Sequence, residues 1–493
     1  MKLIKRNPLL LTDVYKMGHM EQYVPGCTKV YSYLQARKAN IFKKSVFFGL
    51  QYYMDEYLSK PITKDDAIEF LDVKKKITGT ESKEVEEQIF KLAKLGYWPI
   101  EIKAVEEGSI VPTNNVLMTM TNTNPDFYWT VGFVESLLLK IWYPITVATC
   151  SMEYSKIVAK YFMDTVEENL YYLSNFTVHD FGYRGDSSEE GAIISGMAHL
   201  TSFNGSDTIP AYNGILNYYG NNHQNTCIMS SIPASEHSVM CSFGRNKEID
   251  AYKHMLKLYP SGLVSIVSDT YNIWNVLTEF AKELKNDILN RDGKVVFRPD
   301  SGNPEYIICG DPNEKDLNSP VAKGCLRLLD EIFGSSVNSK GFKQLNPKVG
   351  LIYGDGITLD KYNSILTKMK EMGYAASNLV IGVGGLLRNH RGGRDALGFA
   401  IKATSVTVNG ENMAIMKDPI TDPSKKSHKG FMKLKAFGDQ YTTIDGLNID
   451  EYNSMFHDDL LTPVFRDGVI LKKYSLDTIR DKIKMELYPF LNK

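Results

Sequence analysis

Near residue 177 the spacing of apolar and polar positions changes character. From there to about residue 400, short continuous apolar runs alternate with amphipathic helical stretches. The run Val264-Ser265-Ile266-Val267 ends in Ser268-Asp269 and precedes helical text over about residues 272–289. Val295-Val296-Phe297-Arg298-Pro299-Asp300 precedes a loop and a helix over 321–333. Gly350-Leu351-Ile352-Tyr353-Gly354-Asp355-Gly356 leads into a helix capped by Thr358 and running to Met372. Leu379-Val380-Ile381-Gly382-Val383 ends in Gly384-Gly385. Buried parallel strands read as continuous apolar runs, and their alternation with helices predicts a parallel sheet. The expected fold class is α/β, an irregular parallel α/β barrel over residues 177–400.

The flanks follow other periods. Residues 29–34 read as a strand, 46–58 as a helix, and 64–73 and 81–95 as charged helices with one solvated face. Residues 101–121 alternate as a small β unit around Gly108 and Pro112. A helix is expected over 129–142, ended by Pro144, and another over 146–165. Beyond residue 400, strands over 401–408 and 413–416 flank an Asn409-Gly410 turn. A lysine-rich loop over 422–430 and a terminal helix over 475–487 follow. Residues 1–176 and 401–493 are therefore expected to contribute to a mixed α+β domain beside the barrel.

Composition narrows the function class. The chain has 493 residues, 43% hydrophobic and 23% charged, with a net charge of -1. Such a balance argues against general nucleic-acid or membrane-surface binding. The six cysteines are scattered without CxxC or zinc-ligand spacing, as expected of reduced thiols in a cytoplasmic protein. The basic N-terminus is followed by an apolar run broken at Thr12-Asp13, so no signal-peptide core is expected. No apolar segment is expected to reach the roughly 20 residues of a membrane span.

Candidate chemistry gathers at the strand ends, where α/β barrels carry their sites. Arg298-Pro299-Asp300-Ser301-Gly302 offers a guanidinium, a carboxylate and a tight turn. Asp355 lies between two glycines that let backbone approach a ligand. Gly384-Gly385 opens a loop with Arg388, Arg391 and Arg394, suited to phosphate. Carboxylates for sugar hydroxyls or Mg²⁺ beside a phosphate cradle suggest a phosphorylated sugar. Upstream, Phe181 and Arg184 lie in His179-Asp180-Phe181-Gly182-Tyr183-Arg184-Gly185, and Asp207 in Gly205-Ser206-Asp207-Thr208. An aromatic face with a nearby acceptor suits a flat heteroaromatic ring bearing an amide. Helix capping, a buried Phe and a solvated loop explain each of these features singly; their succession favours a shared site. Ser231-Ile232-Pro233-Ala234-Ser235-Glu236-His237-Ser238 adds an imidazole able to shuttle protons or act as a nucleophile, with Glu236 placed to orient it.

Together these stretches resemble the nicotinamide phosphoribosyltransferases, type II phosphoribosyltransferases of NAD salvage. The likeness also takes in Asn7 through Lys16, Ser265 through Asp269, Arg394-Asp395 and Lys417-Asp418-Pro419. It implies transfer from 5-phosphoribosyl-1-pyrophosphate to nicotinamide, giving nicotinamide mononucleotide and pyrophosphate with Mg²⁺. The resemblance also implies a homodimer with sites at the subunit interface. In it, Phe181 and Tyr15 of the partner subunit stack on the ring, near Asp13. Asp207 accepts the amide N–H, and Arg184 and Arg298 line the pocket. Asp300, Gly354, Asp355, Gly384 and Gly385 hold ribose and phosphate, with Asp269 and Asp300 near Mg²⁺. Arg37, Arg394, Lys402, Lys417 and Lys425 contact phosphates, and His237 takes a phosphoryl group from the co-substrate ATP. Against the family pattern, the loop over 386–393 is longer and more basic, residues 308–318 read as an insertion, and Ala400 replaces a hydroxyl residue.

Two other readings stand beside this one. A nicotinate phosphoribosyltransferase shares the architecture, but Asp207 would repel a carboxylate substrate. A Mg²⁺-dependent barrel lyase, or a sugar-phosphate binder without turnover, would use the strand-end aspartates alone. That reading leaves residues 179–185 and the His237 stretch without a role.

Overall fold

The computed structural model describes residues 6–39, 41–220, 227–387, 393–422, 425–438, 440–454 and 458–487. Packing divides the chain into two units. One comprises Met1–Thr149, Ile215–Asn222 and Arg391–Lys493; the other comprises Cys150–Gly214 and His223–His390. Residues 150–176, grouped by sequence with the N-terminal region, thus pack in the second unit, and 215–222 in the first.

The first unit is built on a seven-stranded antiparallel sheet. Its order is Glu411–Ala414, Ala400–Val408, Cys27–Gln35, Val116–Asn122, Ile100–Ala104, Thr462–Arg466 and Val469–Ile470. Distant parts of the chain meet inside it: Tyr33 pairs with Lys402 and Gln35 with Ala400. The Asn409-Gly410 turn forms as expected, with φ of 50° and 86° at its two residues, but the strand after it is Glu411–Ala414 rather than 413–416. The charged helices also form, as Lys64–Thr78 and Lys83–Leu95. Thr63 and Ser82 cap their starts, and left-handed Gly79 and Gly96 end them.

Several expected elements begin or break elsewhere. The helix placed over 46–58 starts at Leu50–Tyr53 and continues as a wider turn over Met54–Leu58. Lys44–Val46 is a strand. Between them Gly49 takes φ of 101°, and a Cβ there would lie 2.5 Å from Pro144. Pro144 ends no helix; it sits in the first turn of Trp142–Thr165, where its missing N–H costs little. The break falls instead at the 3-10 turn Leu139–Ile141. The stretch Thr130–Thr165 is, against expectation, long and apolar enough by composition to cross a membrane. Its most apolar window is 61% buried inside the protein, the behaviour of core helices.

Glu107 is fully enclosed in this unit and accepts main-chain N–H groups of Gly49 at 3.2 Å and Gln51 at 2.7 Å. Burial pushes its carboxyl from an ordinary 4.5 up to about 7, against those hydrogen bonds. The folded chain therefore keeps a proton that the unfolded chain releases between these values, so stability falls as pH rises through that window. The expected loss is on the order of 3 kcal/mol, and stability is flat in this group above about pH 7. Denaturant midpoints from pH 5 to 8 should show a shallower slope in Glu107→Gln than in the wild type; parallel slopes would refute the assignment.

The second unit carries a five-stranded parallel sheet in the order Val178–Asp180, Leu379–Val383, Val349–Tyr353, Asp292–Arg298 and Ser261–Val267. Every neighbouring pair is parallel. This is the α/β layer that the apolar runs predict. Single parallel bridges continue from both edges, Asp180 to Ser206, Gly205 to Ser230, and Ala234 to Ser265. Buried His199 supports the first of them: one ring nitrogen lies 3.2 and 3.1 Å from the carbonyls of Val178 and Gly205, the other 3.1 Å from Ser151 Oγ.

Thr358 caps Leu359–Glu371 as expected, accepting from Lys361 N–H. The helix expected over 272–289 is instead segmented into Ile273–Asn275, a wider turn Val276–Phe280, Ala281–Glu283 and Lys285–Asn290. Pro320–Phe333 carries a kink at Gly324, where φ is 70°. Ile308 and Cys309, read as the start of an insertion, are the buried end of the helix Pro304–Cys309.

Candidate active site

The parallel strands all end on the same side, and the residues that follow them converge. Ser268 Oγ accepts the N–H of Arg298 at 3.2 Å and donates to Ile266 O at 2.7 Å, which ties two neighbouring strand ends together. The Tyr353 hydroxyl donates to Gly302 O at 3.0 Å and fixes the turn after Asp300.

An aromatic ring lies among these strand ends. Phe181 N–H donates to Val383 O at 3.0 Å, which lays its ring across the neighbouring strand. Gly382 makes this possible, because a Cβ there would lie 2.0 Å from Phe181 Cδ2. A Cβ on Gly354 would lie 2.9 Å from Asp300 Oδ1 and 3.2 Å from the Phe181 ring. The Arg298 guanidinium stands 5.1 Å from the ring centre and 3.4 Å from Asp300 Oδ2. A cation over an aromatic face and beside a carboxylate is held in one orientation from two directions.

Burial pushes the Asp300 carboxyl above its ordinary range. Asp269 and Asp355 push it further, while Arg298 and His237 pull it down. These groups therefore share one electrostatic field, and the surplus of carboxylates favours a cation. Asp269 Oδ1 and Asp300 Oδ1 are buried with no hydrogen-bond partner among the described residues. Orphaned carboxylate oxygens of this kind fit a hard divalent ion. Among the described residues no group of three or more His, Cys, Asp or Glu could hold a metal. Mg²⁺ needs no such cage, since it commonly takes one or two carboxylates and fills its shell with water and substrate phosphate.

His237 begins the short helix His237–Cys241, with its side chain half exposed. Its Nδ1 lies 3.2 Å from the Thr270 hydroxyl and its Nε2 3.8 Å from Asp269 Oδ1. Glu236, expected to orient the imidazole, instead accepts from the Ser238 hydroxyl. The Thr270 hydroxyl does the orienting; Asp269 Oδ1, at 3.8 Å, lies beyond hydrogen-bond reach. Thr270 follows Asp269 at a strand end, but only folding brings it to His237.

Asp207 is held beside the Phe181 loop by its own N–H, which donates to Asp180 O at 2.9 Å. The Ser231 hydroxyl donates to its Oδ1. Buried His179 lies nearby, its imidazole pushed down by burial against the opposing pull of Asp207 and Asp180. Ser231 and His179 lie in stretches the sequence singles out, yet nothing in the text distinguishes them from their neighbours. Arg184 sits exposed on the turn Tyr183–Gly185, and Gly385 starts the turn Gly385–Leu387. Gly384 lies near the Phe181 carbonyl, where a Cβ would come within 3.6 Å.

The remaining described candidates belong to the first unit. Arg37, Arg394 and Lys417 surround Lys402, whose ammonium is pushed down by burial and by their repulsion, against the pull of Glu135. A cluster of like charges is a natural anion cradle. Lys425 is ion-paired with Asp422 at 2.9 Å. Tyr15 is 64% exposed, with its ring 5.2 Å from that of His19. Asp13 accepts from the Ser136 hydroxyl. Arg388 and Arg391 lie outside the described residues.

Known proteins match this arrangement along almost its whole length. The profile of the nicotinate phosphoribosyltransferase (NAPRTase) family matches residues 176–451. The profile of the nicotinamide phosphoribosyltransferase N-terminal domain matches residues 7–94. A nicotinamide phosphoribosyltransferase of Acinetobacter baylyi is 38% identical over 510 aligned positions, covering 98% of each chain. The chain belongs to the nicotinamide phosphoribosyltransferase family. Another member of that family, from Xanthomonas campestris, is 37% identical and covers 96% of this chain and 97% of its own. The fold is shared more widely than this family. A crystal structure of a nicotinate-nucleotide pyrophosphorylase from Pyrococcus furiosus superposes with a TM-score of 0.56 at 14% identity, covering 99% of both chains. Human nicotinic acid phosphoribosyltransferase superposes at 0.55 and 15% identity, covering 97% of this chain and 93% of its own.

Proposed function

We propose that this nicotinamide phosphoribosyltransferase family member transfers the phosphoribosyl group of 5-phosphoribosyl-1-pyrophosphate to nicotinamide. The products are nicotinamide mononucleotide and pyrophosphate, a step of NAD salvage. The observation that carries the reading is the Phe181 ring, seated on glycines and topped by Arg298, beside the Asp300 carboxylate. That is a slot for a flat ring next to a polar wall for a ribose phosphate. Close relatives carry the same activity in their names.

Attack at ribose C1 develops positive charge there and negative charge on departing pyrophosphate. Phe181 and Arg298 position the pyridine ring so that its nitrogen lone pair faces C1, and no general base is needed. Asp300 and Asp355 are placed for ribose hydroxyls. Asp269 and Asp300 would hold Mg²⁺, which neutralises pyrophosphate when bound. Asp207 has one oxygen occupied by Ser231 and the other available to accept an amide N–H. In a homodimer, Tyr15 of the partner subunit would cover the ring, and the high exposure of Tyr15 supports that role. Arg37, Arg394, Lys402 and Lys417 are suited to the substrate's phosphates.

The same reading takes the parallel sheet and its bridging segments as one irregular barrel, supported by bridges at residues 180, 205, 206, 230, 234 and 265. A cytoplasmic location is supported by six free cysteines.

His237 is proposed to accept a phosphoryl group from ATP, supported by its half-exposed ring and by the Thr270 hydroxyl, which orients it. Nicotinamide mononucleotide formation, assayed with and without ATP, should rise with ATP in the wild type and stay unchanged in His237→Ala. Equal stimulation of both proteins would remove the phosphohistidine; absence of product under every condition would remove the transfer itself.

A further inference from the structure

The first unit holds another concave site, which shares no residue with the basic cluster at Lys402. A cavity of about 120 Å³ is walled by Lys103, Lys433, Tyr452, Asp459 and Thr462. Lys433 lies on the strand Phe431–Phe437 and Lys103 on Ile100–Ala104, so two rigid elements aim ammonium groups at one space. Lys433 is only 2% exposed.

The wall is built rather than incidental. The Lys103 ammonium donates to the Tyr452 hydroxyl at 2.9 Å and stands 4.8 Å from the ring centre. The Lys433 ammonium stands 5.3 Å from that same ring. Tyr452 is fixed in turn by stacking on Phe431, with centroids 5.2 Å apart and planes at 27°. Asp459 Oδ1 accepts the N–H groups of Leu434 at 3.1 Å and Leu461 at 3.0 Å, so the main chain holds it in the wall. Thr462 Oγ1 is buried with no hydrogen-bond partner among the described residues.

Charge and size define what would fit. Two ammonium groups against one carboxylate leave the lining of the cavity net positive, which favours an anion there. The donors are two ammoniums and two hydroxyls, disposed around a space of about four water volumes. We propose that this cavity binds a small tetrahedral oxyanion of the phosphate class, held by Lys103, Lys433, Tyr452 and Thr462. The site is independent of the transfer reaction, so it survives or fails apart from the reading of the strand-end pocket.

Crystals of the full chain soaked in tungstate should show an anomalous peak inside this cavity. In solution, inorganic phosphate titrated by calorimetry should bind Lys433→Met and Thr462→Val about tenfold more weakly than wild type. Turnover of both variants should be unchanged, since neither residue belongs to the transfer machinery. Thr462→Val removes a hydroxyl and no charge, so it carries the test if Lys433→Met does not fold. A cavity free of tungstate, or phosphate affinities equal in all proteins, would overturn the proposal.

Discussion

Replacing Asp207 by asparagine is expected to cut kcat/KM for nicotinamide about tenfold to a hundredfold and to raise that for nicotinate. The carboxylate accepts the Ser231 hydroxyl through one oxygen and offers the other to an amide N–H. A hydrogen bond to a charged acceptor contributes roughly 1.5–3 kcal/mol, which sets the size of the loss. The same negative charge repels nicotinate, so removing it should help the acid while it harms the amide. Asparagine keeps the shape and leaves the Asp180–Asp207 main-chain hydrogen bond in place. Ratios of kcat/KM for the two substrates decide the matter; an unchanged ratio would remove Asp207 from substrate selection.

The second large effect is expected at a glycine that touches no substrate. In Gly382→Ala the new Cβ would fall 2.0 Å from Phe181 Cδ2 and 2.1 Å from Cε2. The ring must leave its seat, because Gly382 is fixed in the sheet by its pairing with His179. Overpacking of this kind costs about 1–3 kcal/mol of stability, and the aromatic floor is lost with it. The KM for nicotinamide should rise at least about tenfold, in line with a lost stacking contact and a displaced Arg298. The double variant Gly382→Ala/Phe181→Ala should recover stability but not substrate affinity. Full activity in Gly382→Ala would mean that the ring does not form the floor of the pocket.

What the sequence could reveal follows from how far apart the interacting residues lie. The four long parallel strands were legible because strands buried on both faces leave continuous apolar runs ending in Asp or Gly. Val178–Asp180 and the bridges at Ser206, Ser230 and Ala234 carry no period, being too short for one. The start of the helix at Leu50 was hidden because Val46-Phe47-Phe48 continues its apolar text. Only the contact of Gly49 with Pro144 reveals the turn. Residue types at the site were visible, but their pairings were not. Glu236 adjoins His237 in sequence, yet the chain direction aims its carboxylate at Ser238, and Thr270 supplies the contact instead. Gly382 reads as one more strand residue because the ring it accommodates comes from the loop after another strand.

The most direct test follows both products with the purified full chain, Mg²⁺ and 5-phosphoribosyl-1-pyrophosphate. With nicotinamide present, pyrophosphate and nicotinamide mononucleotide should appear in equal amounts, and omitting either substrate should abolish both. Nicotinate in place of nicotinamide should give far slower release. Pyrophosphate release that needs no nicotinamide, or faster turnover with nicotinate, would contradict the account.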